Sequence, residues 1–155
     1  MAQTPYNRAL DLLSARPYSV RDLRRKLMQK EVPAEEADTV IERLLQAGLL
    51  DDEKYALAFA RSKLVGAGSS KRRIRQELGR KGVSAELSDT AVAQVIVDEE
   101  VDTRALVERV ARKKLASMGD LEPPVIRRRL YAFLARRGYD LDEIQAVTKD
   151  LFSRS

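Results

Sequence analysis

Residues 20–30 read VRDLRRKLMQK, residues 71–81 read KRRIRQELGRK and residues 125–137 read VIRRRLYAFLARR, and these three stretches decide the fold. With Leu27, Leu78 and Leu134 set as equivalents, Leu23, Ile74 and Leu130 stand four residues earlier in each. Apolar residues at i and i+4 share one face of a helix. Each stretch therefore predicts a helix with a narrow apolar edge and a basic remainder. Four residues after the second apolar position come Glu31, Gly82 and Gly138. Glycine there suits a helix end in the left-handed conformation. Val32, Val83 and Tyr139 follow, and Pro33, Ser84 and Asp140 then open another helix. Asp140 with Glu143 has the pattern of a capping box, and Pro33 suits a first helical turn.

The register extends in both directions. Downstream, Ala37, Val40, Ile41, Leu44 and Leu45 fall at helical spacing. Ser88, Ala91, Val92, Val95 and Ile96 match them, as do Ile144, Val147, Thr148, Leu151 and Phe152, with Ser88 and Thr148 as polar weak points. Upstream, opening helices are expected over Tyr6–Ala15, Asp52–Val65 and Asp102–Ser117, with Thr4-Pro5 and Asp51-Asp52-Glu53 as amino-terminal signals. Breakers cluster at 66–70 (GAGSS) and 118–124 (MGDLEPP), which are loops. No segment alternates at period two with β-branched residues. The fold class is all-α: three tandem three-helix repeats, at 5–50, 51–100 and 101–153, in an elongated array able to curve. One such unit buries little alone, so neighbours are expected to stack and share a core.

Charge follows the same periodicity. The three basic stretches hold 16 Lys/Arg and 2 acids on 35 residues, whereas the whole chain has 29 Lys/Arg, 24 Asp/Glu and a net charge of only +5. The remaining sequence is therefore acidic on balance. Such segregation suits a positive face for a polyanion and a separate acidic surface. Within the stretches the candidate contacts are Arg21, Arg24, Arg25 and Lys26, then Lys71, Arg72, Arg73 and Arg75, then Arg127, Arg128 and Arg129. Arginine outnumbers lysine, which suits bidentate phosphate or carboxylate contacts. Arginines clustered at a helix start oppose its dipole, so a local stabilising reason for them is lacking. One basic helix is ordinarily a solvated face; three in register favour a nucleic-acid or acidic-protein surface. Base stacking has little support, since only Tyr131 and Phe133 lie within a basic stretch.

Other classes fail. The chain has no cysteine and no histidine, which removes disulfides, thiol catalysis, the commonest general base and the commonest metal ligand. No apolar run reaches the length needed to span a bilayer and no secretory signal opens the chain, so a cytoplasmic protein is expected. The 66–71 segment GAGSSK lacks the ending of a phosphate loop and follows no strand. Asp98-Glu99-Glu100 with Asp102 is a solvated helix junction rather than a cation site, because adjacent carboxylates diverge on a helix. No cofactor, metal or catalytic residue is expected. A helix-turn-helix reader over 19–50 is disfavoured too: its recognition helix would carry Glu35, Glu36, Asp38 and Glu42 against Arg43, and phosphates would repel it.

Gly48-Leu-Leu-Asp-Asp-Glu-Lys-Tyr-Ala-Leu-Ala-Phe-Ala-Arg-Ser-Lys63 resembles the signature of the bacterial RecX regulatory proteins. Ser70-Lys-Arg-Arg-Ile-Arg-Gln-Glu-Leu-Gly-Arg-Lys-Gly82 is similar to the family's next block, and residues 9–17 and 23–27 also match. The resemblance covers about residues 6–152 and is most specific over 48–82. It implies tandem three-helix repeats and a modulator, usually an inhibitor, of the RecA recombinase, bound along the groove of the RecA–single-stranded-DNA filament. It implies a partner, RecA in its filament, with direct contact to DNA phosphates, and no active site. No long apolar stripe asks for a dimer, so a monomer is expected. The competing reading is a non-specific nucleic-acid-binding repeat protein without a recombinase partner.

Overall fold

The structure, a computed structural model, describes residues 3–153. Local capping sets the helices. Thr4 accepts from the Asn7 N–H at 3.1 Å and starts α1 (Pro5–Ala15). Ser19 starts α2 (Val20–Gln29) by accepting from Asp22 N–H. Pro33, in extended backbone, precedes α3 (Ala34–Gln46), so it stands one residue before the first helical turn expected of it. Asp51 caps α4 (Asp52–Arg61), Ser70 caps α5 (Lys71–Arg80), Ser84 caps α6 (Ala85–Asp98) and Asp102 caps α7 (Thr103–Ala116). No side chain caps α8 (Pro123–Arg136), which starts on two prolines instead. Among the described residues α9 (Leu141–Ser153) is the ninth helix, and no strand occurs.

The helices pack in three consecutive triplets: α1 to α3, α4 to α6 and α7 to α9. In each triplet the second helix buries only its two aligned apolar residues: Leu23 and Leu27, Ile74 and Leu78, Leu130 and Leu134, all fully buried. The third helix buries the expected periodic set except at its carboxyl end, where Leu45 is exposed and Ile96, Leu151 and Phe152 are half-buried. Ser88 and Thr148 are buried in that set without penalty, because each hydroxyl donates to the carbonyl four residues back, Ser84 at 2.9 Å and Ile144 at 2.6 Å.

Two details depart from the expectation. The opening helix of the second repeat continues to Gly66, but its last turn, Ser62–Gly66, widens to a π turn closed by Ala67 N–H to Ser62 O at 3.2 Å. The core is also not shared evenly. The second and third repeats pool one cluster running from Ala56 to Val147, whereas the first repeat keeps its own, from Ala9 to Leu50. The join between the first and second repeats is polar instead: Val20 N–H donates to Asp52 Oδ1 at 2.9 Å, and Lys81 Nζ lies 3.8 Å from Asp22 Oδ2.

Candidate nucleic-acid interface

The second helices meet end to end. Ser19 Oγ, which caps α2, donates to the carbonyl of Lys81, the residue closing α5, at 2.7 Å. Ser70 Oγ, which caps α5, donates to the carbonyl of Arg137, the residue closing α8, at 2.7 Å. One device is thus used at both joins: a buried serine hydroxyl satisfies the amino end of one helix and the carboxyl end of the next. Close approach requires Gly82 and Gly138 just beyond those ends. Both have positive φ, and a Cβ on Gly82 would lie 2.7 Å from Arg21 Cβ, while one on Gly138 would lie 2.8 Å from Ser70 Oγ. No repeat abuts the carboxyl end of α2. There Arg8 donates to the Lys30 carbonyl at 2.9 Å, and Glu31 occupies the same left-handed position with φ 67°.

This arrangement supplies the local reason that arginines at the helix starts lacked. The starts of α2 and α5 face the carboxyl ends of α5 and α8, whose partial negative charge offsets basic residues there. Arg21 packs its stem on Gly82, and Arg72 packs its stem on Gly138. Arg127, Arg128 and Arg129 need a different correction. α8 starts at Pro123, so these residues follow the first turn rather than forming it. Arg127 lies over the Phe152 ring, 4.9 Å from its centroid.

The other candidates are placed as follows. Arg24 pairs with Asp38 at 2.7 Å, and Arg75 pairs with Asp89 at 3.4 Å. These are equivalent pairs, each tying a second helix to the third helix of its repeat. The hydrogen bond from Arg24 holds the Asp38 carboxyl below its ordinary range and raises the guanidinium in turn. Arg25 pairs with Asp22 at 3.2 Å and Arg73 with Glu77 at 3.4 Å. The Arg24–Asp38 and Arg75–Asp89 pairs are exposed on both sides and contribute little, so a phosphate can replace either carboxylate at small cost. Lys26, Lys71, Arg128 and Arg129 have no carboxylate within 4.0 Å among the described residues; Lys71, Arg128 and Arg129 are exposed and Lys26 is half-buried.

The candidate set stopped short along each helix. Arg80, Arg136 and Arg137 join Arg72 and Arg73 around one polar notch where α5 meets the end of α8. Their presence in the basic stretches was visible; that two helix ends converge was not. Among the described residues no group of three His, Cys, Asp or Glu is placed to hold a metal ion, and no helix is long and apolar enough to cross a membrane.

Basic helices joined in series on tandem three-helix units define the class: an all-α tandem-repeat protein. Residues 6–44 match the model of the first three-helix domain of RecX, residues 51–92 the second and residues 101–148 the third. The chain belongs to the RecX family of regulatory proteins. It is 38% identical over 144 residues to the regulatory protein RecX of Pelodictyon phaeoclathratiforme, covering 91% of this chain and 84% of that one. To RecX of Xanthomonas oryzae pv. oryzae it is 35% identical over 147 residues, covering 95% and 88%. The fold matches the crystal structure of RecX from Lactobacillus salivarius with a TM-score of 0.82 at 19% identity, covering 95% of this chain and 94% of that one. A second RecX crystal structure matches with a TM-score of 0.83 at 22% identity, covering 94% and 70%.

Proposed function

We propose that the protein is a non-enzymatic inhibitor of the RecA recombinase that binds along the RecA–single-stranded-DNA filament. The observation that carries the reading is the serial joining of α2, α5 and α8, which turns three separate basic helices into one extended cationic surface. The repeats at 5–50, 51–100 and 101–153 act as successive contact units on a monomer in the cytoplasm. Arg21, Arg24, Arg25, Lys26, Lys71, Arg72, Arg73, Arg75, Arg127, Arg128 and Arg129 meet DNA phosphates or acidic patches of the filament, and the acidic third helices meet basic parts of RecA. Weak contacts spread over successive protomers reinforce one another through effective concentration. Holding neighbouring protomers in one relation opposes the conformational change coupled to ATP hydrolysis.

The test is RecA's ATP hydrolysis on single-stranded DNA while this protein is titrated in below the RecA concentration. A dose-dependent fall supports the reading, and a rise keeps the partner but reverses the sign. No change, with no retention on the filament, overturns it and leaves non-specific nucleic-acid binding as the function.

A further inference from the structure

The end-to-end joins are alike in backbone but differ in charge. At the join of α5 with α8, a notch of about 420 Å³ is walled by Arg72, Arg73 and Arg80 from one face of α5 and by Arg136 and Arg137 from the end of α8. Glu77 is the single carboxylate in that wall, and it is engaged only by Arg73, at 3.4 Å. The Nε–H of Arg137 is buried and has no acceptor among the described residues. Among the described residues Arg72, Arg80 and Arg136 have no carboxylate within 4.0 Å, in a space large enough for a phosphate group, while Arg137 also donates to the Ala67 carbonyl at 3.4 Å and lies 5.6 Å from the centroid of the Phe133 ring.

The join of α2 with α5 answers the same geometry differently. The position equivalent to Arg73 is Asp22, at the same offset from the aligned Leu23 and Ile74. Asp22 reaches Arg25 at 3.2 Å and Lys81 at 3.8 Å, with its side chain only 18% exposed. One carboxylate thus occupies the centre of this join and commits a cation from each helix. Arg80 has its counterpart here in Gln29, which carries no charge.

We propose that the notch between α5 and the end of α8 is a discrete seat for a phosphodiester of a nucleic-acid strand, and that Asp22 closes the equivalent seat between α2 and α5. The inference rests on the reading of the basic second helices as a nucleic-acid surface and names where the strand is gripped. All five cations are arginines, whose planar forks engage phosphate oxygens in pairs, while a lysine would present a point charge. A seat at a helix join also fixes register: a strand held there must cross from α5 to α8, past Gly138, with the remaining basic residues tracking it.

The test uses the full chain and a fluorescein-labelled oligothymidylate, read by anisotropy at increasing KCl. Arg80→Gln with Arg136→Gln removes two exposed notch charges, and Lys54→Gln with Lys113→Gln removes two exposed charges elsewhere. The notch pair should lose about tenfold in affinity, and its salt slope should fall by roughly 0.7–1.4, as expected for one or two phosphates on a single strand. The control pair should lose less than about threefold, a long-range effect that salt screens. Asp22→Asn should tighten binding by freeing Arg25 and Lys81. Thermal melts by circular dichroism establish that each variant is folded.

Equal losses in the two pairs overturn the seat. So does loss of filament retention by the notch pair with oligonucleotide affinity unchanged, because acidic protein side chains would then be the occupant. An unchanged or weaker Asp22→Asn overturns the closed join. Failure of the filament reading is separate: it appears in RecA's ATP hydrolysis, whereas this contrast is read on bare oligonucleotide.

Discussion

The Ser70 hydroxyl donates to the Arg137 carbonyl at 2.7 Å while accepting from the Arg73 N–H at 3.1 Å, so one buried side chain completes two helices of different repeats. Ser19 does the same for α2 and α5. Each unites a cap inside a repeat with a fastener between repeats, and the fastener aligns the basic helices. Folding of the array and presentation of its surface therefore depend on the same atoms.

Ser70→Ala should cost more than an ordinary cap. Ser84 provides the comparison, because it caps α6 through Leu87 N–H at 3.1 Å and its hydroxyl reaches no other repeat. Ser84→Ala is expected to lose about 1 kcal/mol. Ser70→Ala also leaves the Arg137 carbonyl without its donor and should lose about 2–3 kcal/mol. Urea unfolding of the two variants measures the difference. Equal costs would mean that the bond to Arg137 adds nothing to stability.

Gly82 and Glu31 occupy equivalent left-handed positions under opposite constraints. A Cβ at Gly82 meets Arg21 Cβ at 2.7 Å and Cδ at 2.5 Å, so Gly82→Ala adds crowding to an unfavourable φ and should cost more than about 2 kcal/mol. Glu31 already bears the φ cost, at the end of α2 that no repeat approaches. Glu31→Gly should be neutral or stabilise by up to about 1 kcal/mol. Chemical denaturation decides; destabilisation by Glu31→Gly would show that its side chain has a role.

Periodicity and breakers made the nine helices and their three-fold register legible, because every second helix repeats its two apolar positions and its turn. Evidence for the joins was present but not interpretable. Ser19 and Ser70 read as caps, and Gly82 and Gly138 as helix ends; that each glycine lies against the neighbouring repeat depends on long-range packing. The missing glycine at Glu31 was the local clue that this end stays uncovered. The split core was illegible for the same reason, since aliphatic periodicity shows which face is buried and not which repeat covers it. Position within a single helix does not mark out Arg80 and Arg136, because they stand at helix ends that converge only in space.

The divided core predicts divided cooperativity. Leu27 and Leu78 are equivalent and fully buried, but in separate clusters. Either change to Ala should cost about 2–5 kcal/mol locally. Leu27→Ala should speed amide exchange in α1 to α3 and leave protection in α5 to α9 close to that of the unmodified chain. Leu78→Ala should weaken α4 to α9 together. Uniform loss of protection across all nine helices in Leu27→Ala would show that the polar join transmits the damage.

Glu143 gives the array a dependence on pH. Burial raises its carboxyl first and nearby Asp140 adds to the shift, while Lys71 and the backbone of Asp140 oppose it. A carboxyl raised in the folded state binds more protons folded than unfolded between the two values. Stability must therefore fall as pH rises from the ordinary carboxylate range through the raised value. Glutamine keeps an acceptor at this position of α9 but does not titrate. The Tm of Glu143→Gln relative to the unmodified chain should accordingly climb as pH rises out of the ordinary carboxylate range, then level off once the raised carboxyl is fully ionised. Because Lys71 begins α5 and Glu143 belongs to α9, the same substitution at neutral pH also removes a carboxylate that draws Lys71 towards the third repeat. A pH-independent difference in Tm would place the effect in that lost attraction or in packing, and not in the proton.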